Sequence, residues 1–123
     1  MQYNNFMKLT FDDTITQRLL ALIEDEPADF VLDFDHTLSN ETLSSSCCGI
    51  TRYRIVAVNK GEVPKVFDGK ISSPLGDFYC KAWGMMYFDE NMRVRVTANH
   101  LIEIMGDGEK IAPHIEIVDY RHQ

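Results

Sequence analysis

No stretch of this 123-residue sequence approaches eighteen consecutive apolar residues, so no transmembrane helix is expected. Met1 to Thr10 has no basic start leading into an apolar run, so no secretory signal is expected either. Cysteine is scarce, with only Cys47, Cys48 and Cys80. An odd count without a signal fits a reducing, cytoplasmic setting and excludes a disulfide-stapled miniprotein. Cys47 and Cys48 are adjacent, and neighbours rarely bridge each other because the ring is strained. Positive charge is also short: 12 Lys and Arg stand against 19 Asp and Glu, for a net charge of -7. A chain of that sign repels phosphate backbones, which argues against nucleic acid and anionic membranes as partners. There is no internal repeat, low-complexity tract, Gly-x-Gly-x-x-Gly, P-loop or Gly-x-Ser-x-Gly.

What remains is ordinary globular material: 45% hydrophobic, 25% charged and 11% aromatic. The length suits one domain over residues 1–123, able to bury roughly two thirds of its unfolded surface. Residues 1–6 are expected to be a flexible N-terminus. The acidity is concentrated: residues 11–41 hold nine acids and one base, whereas residues 42–123 hold ten of each. A solvated acidic face accounts for this, with docking of a basic partner as the sharper reading.

A short opening strand is expected at Met7–Phe11. Ile15, Leu19, Leu22 and Ile23 then recur at helical spacing and predict one amphipathic helix over about Asp13–Asp25. Asp12 or Asp13 can cap its first turn, and Pro27 stops it. After that the chain reads as strands: Asp29–Asp35, Arg52–Val58, Met92–Val96, Leu101–Met105 and Ile115–Asp119. Trp83–Phe88 and Met92–Val96 flank Asp89-Glu90-Asn91 and read as a hairpin. In the second arm Met92, Val94 and Val96 face one way, and Arg93 and Arg95 the other. Leu38–Ser46 is polar and serine-rich, a mobile loop ending at Cys47-Cys48-Gly49. The predicted class is α+β, with a mainly antiparallel sheet and one N-terminal helix.

Two segments carry chemistry. Phe30-Val-Leu-Asp-Phe-Asp-His-Thr-Leu38 resembles the first motif of haloacid-dehalogenase-type phosphatases. In that reading Asp33 attacks a phosphoryl group, Asp35 serves as acid and base, and Mg²⁺ sits between carboxylates and phosphate. Ile102-Glu-Ile-Met-Gly-Asp-Gly108 resembles the late metal motif of the same superfamily. Against this, residues 39–101 read as hairpins rather than helices and parallel strands, and the length falls short of a doubly wound core. The plain alternative for Asp33 and Asp35 is a polar strand end with Phe34 pointing inward.

The second segment is Cys47-Cys48-Gly49-Ile50, a turn that precedes a strand. Thiolates on a turn are ordinary ligands for soft metals and iron–sulfur clusters. Free cysteines are also commonly buried and inert. Taken across residues 7–121, the order of elements resembles the HesB-like iron–sulfur cluster biosynthesis family, the A-type carriers, and looks closest to a Gram-positive branch. The resemblance runs from Met7-Lys-Leu-Thr-Phe11 and the helix, through Asp29–Asp35 and the cysteine turn, to Ile115-Glu-Ile-Val-Asp-Tyr-Arg121. Members of the usual kind carry one cysteine after the second strand and a Cys-x-Cys pair near the C-terminus. Cys48, with Cys47 beside it, matches the first position. The tail Ile111–Gln123 has no cysteine, and Cys80 lies too early to replace the pair.

The resemblance implies a non-enzymatic protein that holds iron or a cluster through Cys47 and Cys48, with Cys80 as a further candidate. It implies transfer to assembly or recipient proteins. Two copies would offer four thiolates, so a homodimer is expected, with Trp83–Phe88 as its apolar contact. Among His36, His100, His114 and His122, none at His-x-x-x-His spacing, His36 and His114 are the candidates for extra ligands. The alternatives are the Mg²⁺-dependent phosphatase and a metal-free binding module.

Overall fold

In the computed structural model, residues 7–33 and 53–121 are described, the side chains of Met86 and Tyr87 excepted. The N-terminal residues 1–6 lie outside that range. Strand β1 (Lys8–Phe11) leads into helix α1 (Asp13–Asp25), then β2 (Ala28–Asp33), β3 (Arg54–Asn59), β4 (Gly69–Ile71) and β5 (Phe78–Cys80). A 3₁₀ helix (Ala82–Tyr87) precedes β6 (Asn91–Val96), β7 (Ile102–Met105) and β8 (Lys110–Asp119).

The helix starts where the chain supplies a cap. Asp12 is extended, and its Oδ1 accepts the Ile15 N–H at 2.8 Å. Its Oδ2 accepts the Val96 N–H at 2.8 Å, so one carboxylate serves both the helix start and the end of β6. Ile15 and Leu19 are fully buried, and each such side chain contributes about 2 kcal/mol of apolar burial. The last turn has no basic residue of its own. Arg121 supplies the missing cation, because its Nη1 donates to the Glu26 carbonyl just past the helix end. Asp119 holds that guanidinium through both carboxylate oxygens, each at 2.9 Å, and raises its pKa above the ordinary arginine value.

Among the described residues, eight strands form one sheet in the order β1-β6-β7-β8-β3-β2-β5-β4. The expected α+β class is borne out, but the sheet is mixed rather than purely antiparallel. β1–β6, β2–β5 and β3–β8 are parallel, while β2–β3, β4–β5, β6–β7 and β7–β8 are antiparallel. The two ends of this order meet. Leu9 N–H donates to the Ser72 carbonyl at 2.8 Å and Ser72 N–H to the Met7 carbonyl at 3.3 Å, which nearly closes the sheet into a barrel.

Inward side chains from every strand, with Ile15 and Leu19 of α1, form the main core. Phe78 sits at its centre, 5.2 Å from the Phe30 ring and 5.5 Å from the Phe11 ring. A smaller core lies on the outside of β2, β3 and β8, where Val31, Val56 and Val58 are covered by Phe67, Val63 and Tyr120.

The expected hairpin is half right. Met92–Val96 is a strand with Met92 and Val94 buried and Arg93 and Arg95 exposed, but Trp83–Phe88 is not its partner arm. Most of that run is the 3₁₀ helix, and β7 pairs with β6 instead. Gly69 permits this: a Cβ there would come within 2.7 Å of Met85 Sδ and 3.1 Å of Ala82 Cα. Asp68 Oδ1 accepts the Ala82 N–H at 2.9 Å and fixes the start of the turn. Met85 and Phe88 enter the core, while Trp83 remains 59% exposed, so the apolar contact offered outward is smaller than the run implied.

Candidate functional site

Cys80 ends β5, between the parallel strand β2 and the short β4. The alternation of Phe78 and Cys80 against Tyr79 points the thiol into the core, and it is wholly buried and free. Burial, with a smaller contribution from the Asp68 carboxylate, pushes the thiol from 9.0 up to about 12. At neutral pH it is a protonated, core-packed thiol. Metal ligation requires the thiolate.

Asp33 closes β2 and is wholly buried. Its register partner is Arg54, the first residue of β3, itself 3% exposed, and Arg54 Nη2 lies 3.8 Å from Asp33 Oδ2. Arg54 Nη1 donates to Tyr120 Oη at 2.8 Å. A carboxylate turned to a buried guanidinium in this way is not presented to a phosphoryl substrate. The other acidic motif lies far off. Asp33 shares a row with Arg54 and Glu116, which aligns it with the start of β7 at Leu101–Ile102. Asp107 lies past the opposite end of β7, in an exposed turn where its N–H donates to Asp89 Oδ2 at 2.8 Å. At about 3.3 Å per residue the axial offset alone is roughly 15 Å, too far for one Mg²⁺ to bridge. Asp35 lies outside the described residues.

Glu103 is another buried carboxylate, on the outer face of β7. Arg95 Nε on β6 reaches it at 2.5 Å and Lys110 Nζ on β8 at 3.0 Å. Hydrogen bonds from these two cations hold its pKa below the usual glutamate value. This trio staples three strands and was missed in the sequence, because its members come together only through the β6–β7–β8 pairing.

His114 is exposed on β8, and His100 sits in the turn before β7 with φ of 67°. Among the described residues no group of three or more His, Cys, Asp or Glu side chains could hold a metal. Two hollows flank Tyr79, with volumes of about 240 Å³ and 180 Å³. Both fall below the roughly 300 Å³ at which small-molecule sites begin. Cys47, Cys48, His36 and His122 lie outside the described residues.

The comparisons with known proteins decide the family. A family model described as iron-sulphur cluster biosynthesis matches residues 7–119. The chain belongs to the iron-sulphur cluster biosynthesis family. A solved protein of Lactobacillus salivarius, described as a "putative Fe-S biosynthesis protein" with a novel fold, is 30% identical and superposes with a TM-score of 0.74 over 94% of this chain and 100% of its own. A Lactobacillus acidophilus protein with the same description has 15% identity and a TM-score of 0.65, covering 92% of this chain and 90% of its own, which is a likeness of fold. Curated proteins contain no match. The expected HesB-like resemblance is thus borne out as family membership. No described helix is long and apolar enough to cross a membrane.

Proposed function

We propose that this protein holds iron or an iron–sulfur cluster as cargo through the thiolates of Cys47 and Cys48 and passes it to a recipient protein. Membership of the iron-sulphur cluster biosynthesis family across residues 7–119 carries this reading. Cys80, buried and protonated, belongs to the core rather than the ligand set. Two thiolates per chain fall short of the four that an all-cysteine cluster takes, so two copies share one cluster. The role is that of a carrier, not an enzyme. The setting is the reducing cytoplasm, where adjacent thiols stay available.

Anaerobic reconstitution with ferrous iron and sulfide tests the reading. Sulfur-to-iron charge-transfer absorption is expected in the wild type and in Cys80→Ala, and is lost in Cys47→Ser/Cys48→Ser. Light scattering is expected to show a dimer that is favoured when the cluster is bound. Absence of the absorption in the wild type, or its survival in the double variant, refutes the assignment of these thiols.

A further inference from the structure

On β1, β6 and β7 the side chains alternate between core and solvent. Leu9, Met92, Val94 and Ile104 enter the main core, which leaves Lys8, Thr10, Arg93, Arg95, Glu103 and Met105 on the outer face. Lys110, which opens β8, joins this face through its Nζ contact with Glu103 at 3.0 Å. The pairing lays Thr10, Arg93, Met105 and Lys110 side by side in one row across four strands. Glu103 lies in the next row, opposite Arg95. Charge on this face runs against the rest of the chain. The protein carries a net charge of -7, yet β1, β6 and β7 hold Lys8, Arg93 and Arg95 against a single acid, Glu103. That carboxylate is buried and already engaged by Arg95 and Lys110, both of which stay half exposed. Lys8 and Arg93 are exposed and have no ion pair among the described residues. The acids of β8, Glu116 and Asp119, lie on its other half, beside β3.

Gathering like charge on one face costs self-repulsion, and a row without a carboxylate does nothing to relieve it. In the middle of that row Met105 is half-buried and belongs to neither core. Arginine and methionine are among the residues that the centres of protein interfaces favour. The dimensions suit an extended acidic segment. Arg93 and Arg95 are two residues apart on one strand, about 7 Å, which is the repeat of alternate side chains along an extended chain. From β1 to β8 the face is three strand spacings wide, about 14 Å. A nucleic acid runs well beyond such a patch and meets the acidic remainder of the surface, whereas a short protein segment does not.

We propose that the outer face of β1, β6, β7 and the start of β8 docks a partner protein through a short, extended, Asp- or Glu-rich segment of that partner, with Lys8, Arg93, Arg95 and Lys110 as the contacting cations. No cysteine takes part, so the proposal stands or falls separately from the cargo reading above. Contact of this kind is steered by charge and weakened by salt. The probe is a fluorescein-labelled peptide of alternating Glu and Ser, followed by anisotropy with the metal-free protein. A Gln-for-Glu peptide and a single-stranded oligonucleotide of equal length serve as comparisons. The wild type is expected to bind the Glu peptide at least tenfold more tightly than either comparison, and less tightly as salt is raised. Lys8→Glu/Arg93→Glu is expected to weaken the Glu peptide at least tenfold. Lys60→Glu/Lys65→Glu makes the same change of net charge beside Tyr79, across the barrel, and is expected to stay within twofold of wild type. All four side chains are exposed, and circular dichroism checks that the variants fold. If Lys8→Glu/Arg93→Glu does not fold, Lys8→Ala/Arg93→Ala decides, with at least threefold weakening expected. A wild type that does not bind the Glu peptide, or binds the Gln peptide equally well, overturns the proposal. So does an equal loss in both glutamate variants, or no loss in Lys8→Glu/Arg93→Glu. Preference for the oligonucleotide overturns it in favour of a phosphate ligand. Self-association of the metal-free protein in light scattering, abolished by Lys8→Glu/Arg93→Glu, overturns it in favour of a second copy.

Discussion

Cys80 offers the sharpest separation between a packing thiol and a ligand. In Cys47→Ser/Cys48→Ser it is the sole thiol, so every reaction reports on it. Its shift from 9.0 to about 12 cuts the thiolate fraction at neutral pH by about a thousandfold, since each unit is a factor of ten. Burial within the core adds to that protection, because the sulfur is wholly inaccessible in the folded chain. The assay is the rate of reaction with Ellman's reagent at pH 8, in buffer and in denaturant. The native rate is expected to be at least about a thousandfold below the unfolded one. The same shift has a consequence for stability. The folded pKa lies above the unfolded value, so folding favours the neutral thiol. That contribution is present in full below pH 9 and is lost as the pH rises through about 12. Cys80→Ala should therefore lose less stability than its parent over this alkaline range. A native rate within tenfold of the unfolded rate would refute the core assignment and return Cys80 to the ligand candidates.

The Asp12 carboxylate is expected to matter twice. Asp12→Ala removes a helix cap worth about 1 kcal/mol and strands the Val96 N–H at a further cost of about 1–3 kcal/mol, read as a lower urea midpoint at unchanged slope. A loss below about 0.5 kcal/mol would show that neither bond contributes. Glu103→Gln tests the three-strand staple by its pH dependence. The folded pKa of Glu103 is lowered, so its contribution is present above the ordinary glutamate value of 4.5 and is lost as the pH falls further. The gap in urea midpoint between wild type and Glu103→Gln should be open at pH 7 and close as the pH falls towards 3. A gap independent of pH would assign the effect to packing rather than charge.

Legibility in the sequence followed the range of the interactions. Helix α1 runs from Asp13 to Asp25, as its apolar spacing, its Asp12 cap and Pro27 indicated, because each of these acts within one or two turns of the chain. The alternation of β6 was equally plain, since one face meets the core and the other meets water. β4 and β5 have three residues each, too short for a period to show. Trp83–Phe88 looked like a strand because aromatic and methionine side chains suit one. Its 3₁₀ form depends on the close approach that Gly69 allows, thirteen residues before Ala82.

The site followed the same division. The pattern of residues was enough to point to the family and to name Cys47 and Cys48 as ligand candidates, with Cys80 as a further one and Asp33 only within the phosphatase alternative. Composition and spacing cannot tell an inward side chain from an outward one when both neighbours are apolar. The surroundings of Cys80 and Asp33 came only from the tertiary structure: β5 turns Cys80 into the core, where a thiolate is disfavoured, and the β2–β3 register sets Asp33 against Arg54. It also decided the parallel pairings of β1–β6, β2–β5 and β3–β8, which join segments far apart in the chain. Local periodicity reports which face of an element is buried. Which strand lies beside it depends on closing the barrel as a whole, where each pairing is chosen by the others.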